Sequence, residues 1–150
     1  MRGEIIGRVA ADLLSLPPLI FRLIRRKLVT TLEDIDVDLK LLHIEIMRVL
    51  KEEGTLHPAR IGERLLVAKA QMTHLIDKLV ELGFVKREMD ASDRRTINIT
   101  LTEKGSKMLE EQETLVTSAV SDNVADLTDA ELEALSSSLR NLRDILFKLQ

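Results

Sequence analysis

The chain of 150 residues has no cysteine, no tryptophan and no tyrosine, and its aromatic content ends at Phe21, Phe84 and Phe147. Without cysteine, disulfides, thiolate metal sites and thiol redox sensing are excluded. Three isolated rings argue against stacking single-stranded bases on an aromatic platform, while double-stranded nucleic acid stays open. Histidine is nearly as scarce: His43, His57 and His74 include no i,i+4 pair that would set two imidazoles on one helical face for zinc. No metal and no cofactor is expected. The longest uncharged run, residues 13 to 21, contains Pro17 and Pro18 and is far too short to cross a bilayer. Glu4, Arg8 and Asp12 break up any signal-peptide core, so a cytoplasmic protein without a membrane partner is expected. Carboxylates are plentiful, yet they assemble into no set of nucleophile, base and orienting group, and there is no phosphate-cradling glycine loop. Catalysis is the weakest reading, with no catalytic residues to name.

A net charge of -3 offers a polyanion no global attraction. The charge is unevenly spread, however. Residues 60 to 95 carry eight Lys and Arg against six Asp and Glu, so this stretch is positive and the remainder more acidic. Charge alone does not separate a binding patch from an ordinary solvated surface. The length suits one compact domain with a real core.

What the chain does have is a pattern. Residues 93 to 105 read Asp-Arg-Arg-Thr-Ile-Asn-Ile-Thr-Leu-Thr-Glu-Lys-Gly. Ile97, Ile99 and Leu101 point one way and Asn98, Thr100 and Thr102 the other, the two-residue period of a half-buried strand. Residues 84 to 88, after a stop at Gly83, supply the partner strand, which leaves 89 to 96 as an exposed loop carrying Asp90, Asp93, Arg94 and Arg95. Two strands cannot stand alone, and the helices upstream provide their bed. A turn at 54 to 58 precedes a short helix over 58 to 65 and, after a link of a few residues, a second over 68 to 82. Two short helices followed by a hairpin predict a winged helix-turn-helix. Gly62 falls where the first helix must approach the second.

On the second helix Met72, Leu75, Ile76 and Leu79 form an inward stripe, opposite Ala70, His74, Asp77 and Glu81. In a major groove the N-terminal residues of such a helix reach base edges. Gln71 can pair with adenine, Thr73 with a base or a phosphate, and Ala70 can pack on a thymine methyl, while Lys69 and Lys78 suit phosphates. At the hairpin tip Arg95 can enter the minor groove and Arg94 can take a backbone phosphate, with Asp93 holding the Arg95 guanidinium in a fixed fork. Each feature alone is matched by a solvated helix face or a surface ion pair. Together they point to double-stranded DNA.

The termini are helical and apolar. Ile5, Ile6, Val9, Leu13 and Leu14 predict a helix over 4 to 15 that ends at Pro17 and Pro18. A new helix opens near Pro18 and runs through Leu19, Ile20, Leu23, Ile24 and Leu28 toward Leu32. Asp38 is the expected N-cap of the next helix, with Leu42, Ile46, Val49 and Leu50 as its stripe and Gly54 as its stop. Thr102 can cap a helix over 103 to 124, and Thr128 with Glu131 forms a capping box for the last one. Along that last helix Leu132, Leu135, Leu139, Leu142, Leu146 and Leu149 alternate in steps of three and four, a coiled-coil seam. The seam can pack on its own domain or on a second subunit. With little globular body to cover it, a dimer contact shared with Ile5, Val9 and Leu13 is expected.

On these residues the sequence resembles the MarR family of winged-helix transcriptional regulators over nearly its whole length. The most specific stretch has the form Asp-x-Arg-x-x-x-apolar-x-Leu-Thr-x-x-Gly, met by Asp93, Arg95, Ile99, Leu101, Thr102 and Gly105. Residues 72 to 79, followed by Leu82, Gly83, Phe84, Val85 and Arg87, look like the family's recognition helix and the start of its wing. The resemblance implies a mainly α fold with a small β-wing. It also implies a homodimer built from helices at 1–33 and 103–150, a winged DNA-binding module over 38–101, a palindromic operator, and repression relieved by a small molecule. A phenolic or other small aromatic effector is implied between the dimer helices and the winged module, where Arg22, His43 and Arg48 are the polar candidates. Two positions depart from the family pattern: Ala68 stands where a capping Ser or Thr is common, and His74 where Arg is common.

The competing reading is a winged helix that binds another protein and no longer reads DNA. It draws on the acidic total charge and on Asp77, Glu81, Asp90 and Asp93 beside the expected interface.

Overall fold

The computed structural model describes residues 1–34 and 39–150, with side chains described outside 26–38. Within these residues the order is α1 (Arg2–Asp34), α2 (Leu41–Glu53), α3 (Pro58–Leu65), α4 (Lys69–Glu81), β1 (Val85–Met89), β2 (Ile97–Leu101), α5 (Glu103–Val124) and α6 (Asp129–Lys148). The chain divides into two compact units, one of Met1–Arg26 with Val116–Gln150 and one of Lys27–Leu115. The architecture is mainly α with a small β-wing, as the patterning predicts.

In the unit Lys27–Leu115, α2 starts at Leu41. Lys40 is its cap residue, and the Lys40 N–H donates to His43 Nδ1 at 2.8 Å. The Asp38 expected in that role lies outside the described residues. Helix α3 carries Pro58 in its first turn, where a missing N–H costs nothing, and His57 Nδ1 accepts the Ala59 N–H at 3.1 Å. Gly62 permits the expected close approach: a Cβ there would lie 3.0 Å from the Val67 carbonyl and 3.2 Å from Met72 Cγ. The inward stripe of α4, Met72, Leu75, Ile76 and Leu79, is buried as its period predicts.

The hairpin is antiparallel, with Val85 opposite Leu101 and Met89 opposite Ile97. Its first strand begins one residue later than the sequence suggests, because Phe84 is buried and its N–H is bound by the Leu79 carbonyl at 3.0 Å. Leu56 exchanges two backbone hydrogen bonds with Ile99, at 3.1 and 2.8 Å, and so adds a short third rung that the pattern did not reveal. The inward alternation of β2 holds for Ile99 and partly for Leu101, but Ile97 is 45% exposed. That end of the ladder reaches past the residues packed beneath it.

Thr102 closes the base of the hairpin. Its hydroxyl donates to the Gly83 carbonyl at 2.6 Å and accepts the Gly105 N–H at 3.1 Å, which caps α5 as expected. A Cβ on Gly105 would lie 2.2 Å from the Phe84 carbonyl oxygen, so no other residue fits there without displacement. Met108 and Leu109 join the same core as α2, α3 and α4. The compact unit Lys27–Leu115 thus includes the start of α5.

In the other unit α1 runs through Pro17 and Pro18 instead of ending there. The two rings deny the Leu13 and Leu14 carbonyls their helical donors, but the residues around them are exposed, so water can replace the missing bonds. Ser15 Oγ donates to the Asp12 carbonyl at 2.8 Å and Arg22 Nε to the Pro18 carbonyl at 3.3 Å, tying the backbone on either side. The expected stripe residues Leu28 and Leu32 lie outside the described side chains. Asn123 Nδ2 donates to the Leu23 carbonyl at 2.9 Å, joining α5 to α1. The capping box of α6 is present, with Glu131 N–H to Thr128 Oγ1 at 3.2 Å and Thr128 N–H to Glu131 Oε2 at 2.8 Å. Among the described residues no helix is long and apolar enough to cross a membrane.

Candidate nucleic-acid interface

Burying the Met72 to Leu79 stripe turns the opposite side of α4 outward. Lys69, Ala70, Gln71, Thr73 and His74 are exposed and Lys78 is half-buried. The Thr73 hydroxyl donates to the Lys69 carbonyl at 3.1 Å, so it faces outward as an acceptor. Lys78 Nζ lies 3.8 Å from Glu81, a surface pair that a phosphate can displace. Ala68 supplies no side-chain cap to α4, as its chemistry dictates.

The wing tip is built by its acids. Asp93 Oδ1 accepts the backbone N–H of Arg95 at 3.0 Å and Oδ2 accepts the Thr96 hydroxyl at 3.2 Å. The Arg95 side chain is 96% exposed, with only its Nε near Asp93, at 3.9 Å. The fixed fork expected between Asp93 and Arg95 is therefore reduced to one long contact: the carboxylate orders the turn's backbone, and the exposed guanidinium approaches it through Nε alone. Arg94 is exposed beside it. Asp90 accepts from the Ser92 hydroxyl at 2.6 Å, the Ser92 N–H at 2.8 Å and Asn98 Nδ2 at 2.9 Å. These bonds, led by the Ser92 hydroxyl, hold its carboxyl well below the usual carboxylate range. Lys86, 2.8 Å from Glu88, lowers that carboxyl too.

Arg87 of β1 forms an ion pair with Asp77 of α4. Asp77 stands in the outward row with Ala70 and His74, so the hairpin rises beside the polar face of α4. The sequence marked Asp77 only as a surface acid. Its partner was readable as an opposite charge ten positions on, across a glycine turn, but nothing in the spacing required the two to meet. Lys104 adds a second fastening that sequence reasoning missed, donating to the Leu82 carbonyl at 2.8 Å with its Nζ 5.3 Å from the centre of the Phe84 ring.

The remaining candidates fall elsewhere. Arg22 belongs to the unit of terminal helices and is exposed there. His43 and Arg48 lie on α2 in the winged unit: His43 is buried, and Arg48 is half-buried, 3.7 Å from Glu45, with its Nε buried and unbonded. Ile5, Val9 and Leu13 are exposed on α1. On α6 Leu135, Leu139, Leu146 and Leu149 are exposed, Leu132 and Leu142 are half-buried, and none of the helix is buried. Among the described residues no cluster of acids and histidines is placed to hold a metal.

A sequence model of the MarR family matches residues 37–96. The uncharacterized HTH-type transcriptional regulator YpoP of Bacillus subtilis is 32% identical over 103 residues, covering 69% of this chain and 73% of that protein. The similar regulator YkoM of the same organism is 37% identical over 65 residues, 43% of this chain and 42% of its own length. The chain thus spans less than half of YkoM. Among solved structures, a MarR family protein from Bacillus stearothermophilus superposes with a TM-score of 0.76 at 22% identity, covering 94% of this chain and 97% of that one. The apo form of wild-type MarR from E. coli gives 0.66 at 23% identity, with 85% and 96% covered. At these identities the structural likeness concerns the fold.

Proposed function

The chain belongs to the MarR family of transcriptional regulators, and from that premise we propose that it is a DNA-binding repressor acting as a homodimer on a palindromic operator in the cytoplasm. Each α4 lies in a major groove, the two about 34–36 Å apart on one face of the duplex. Gln71, Thr73 and Ala70 meet base edges, Lys69, His74 and Lys78 meet phosphates, and the wing carries Arg95 into the minor groove with Arg94 on the backbone. The observation that carries this reading is the Arg87 to Asp77 pair, which stands the wing beside the exposed face of α4. Occlusion of the promoter follows from such a footprint.

The second subunit is supported by the uncovered leucine seam of α6 and by Ile5, Val9 and Leu13 on α1, which a monomer leaves in water. Relief of repression by a small aromatic acid belongs to the same proposal, with the buried, unbonded Nε of Arg48 as a counter-charge on the winged unit. Three of the four acids that favoured a protein-binding winged helix are occupied. Asp77 is taken by Arg87, Asp90 by Ser92 and Asn98, and Asp93 by the turn. Selection of random duplexes on the purified protein tests the reading. An inverted repeat that binds log-linearly more weakly with added salt is expected, and no binding at low salt would overturn it.

A further inference from the structure

Register decides which side chains of the wing look toward α4. Arg87 reaches Asp77 from that face, Val85 and Ile99 are buried on it, and strand alternation places Met89 and Ile97 on it too, one pair farther out. Two residues of strand advance about 7 Å, which carries the pair beyond the Asp77 contact. Met89 and Ile97 face each other in the ladder's last pair before the tip, and they are 69% and 45% exposed. Single apolar residues on a surface are ordinary. These two are adjacent, share a face, and sit between the Arg87 to Asp77 fastening and the Arg94 and Arg95 tip.

We infer that Met89 and Ile97 form an apolar pad that packs on deoxyribose of the strand running between the groove occupied by α4 and the groove entered by the wing. The inference rests on the DNA-binding reading above. With α4 in a major groove and the wing in the adjoining minor groove, one sugar-phosphate strand passes between them, and the α4-facing side of the hairpin is what it meets. Its phosphates are complemented by Lys and Arg. Its sugars offer C–H surface, which cations cannot complement and which a pair of apolar side chains can cover. The thioether of Met89 adapts to local groove width, while the branched Ile97 keeps its end of the strand stiff. Such a contact fixes position without reading sequence and releases no counterion.

The probe is a duplex enriched from a random pool by the wild-type chain, with binding followed across a salt series. The double variant Met89→Ser with Ile97→Thr is expected to bind on the order of tenfold more weakly at every salt, with an unchanged slope of log K against log salt. Arg95→Ala is expected to reduce that slope by about one. Both pad residues are exposed, so the double variant keeps the wild-type melting temperature, and Met89→Leu with Ile97→Val keeps wild-type affinity. Unchanged affinity in the Ser and Thr variant, a changed slope, or lost binding in the Leu and Val variant overturns the pad alone. A DNA bend that wild type induces and the Ser and Thr variant does not would overturn it in favour of a wedge between base pairs. Failure of the wild type to enrich any duplex overturns the DNA reading itself.

Discussion

Arg87 on β1 is paired with Asp77 on α4 across the Gly83 turn, so the wing and the outward face of α4 share one fastening. Both side chains are roughly half exposed, and a pair of this kind contributes about 0.2–1 kcal/mol to folding. Its larger effect is on geometry. Arg87→Met and Asp77→Asn are each expected to leave stability within about 1 kcal/mol of wild type while weakening duplex binding severalfold, and the double variant should be no worse than either single one. Additive losses in that cycle, measured by fluorescence anisotropy, would show that the two residues act separately.

Gly105 should tolerate no side chain. Placing a Cβ 2.2 Å from the Phe84 carbonyl forces α5 away from the base of the hairpin, and Gly105→Ala is expected to cost about 1–3 kcal/mol. Urea denaturation measures this, and a loss under 1 kcal/mol would mean that the helix start shifts freely.

Leu139 and Leu146, on the leucine seam of α6, are 49% and 38% exposed. Leu139→Glu with Leu146→Glu is expected to convert the proposed dimer to a monomer in sedimentation equilibrium with little loss of helix. A variant that sediments as a dimer would place the subunit contact elsewhere.

Asp90 makes the wing acid-sensitive. Its folded carboxyl titrates below the unfolded value of about 4, so its stabilisation is complete above that value and is lost as pH falls through the lower folded one. Asp90→Asn is expected to weaken the turn at neutral pH and to flatten the pH dependence below about 4. Amide exchange in β1 and β2 follows it, and an acid limb as steep as that of wild type would remove this role for Asp90.

The sequence was most legible where one periodicity had one physical solution. Met72, Leu75, Ile76 and Leu79 could only turn inward, and Thr128 with Glu131 could only cap a helix. It was least legible where solvent or tertiary contact decided. Pro17 and Pro18 read as a stop because the rule assumes that unpaired carbonyls are costly, and in α1 they face water. Ile97 read as buried because alternation says which face a side chain takes, but not whether anything lies beneath it. Asp93 and Arg95 read as a fork because their spacing permits one, while the backbone N–H of Arg95 and the hydroxyl of Thr96 claimed the carboxylate first.

That last allocation has an entropic consequence. The loop at the wing tip is rigidly drawn while its longest side chain is not, so Arg95 keeps its rotamer freedom, roughly 2 kcal/mol, until something immobilises it. Whatever contact it makes is penalised by that amount, and in exchange the fingertip can follow grooves of different width and depth without any rearrangement of the loop that carries it.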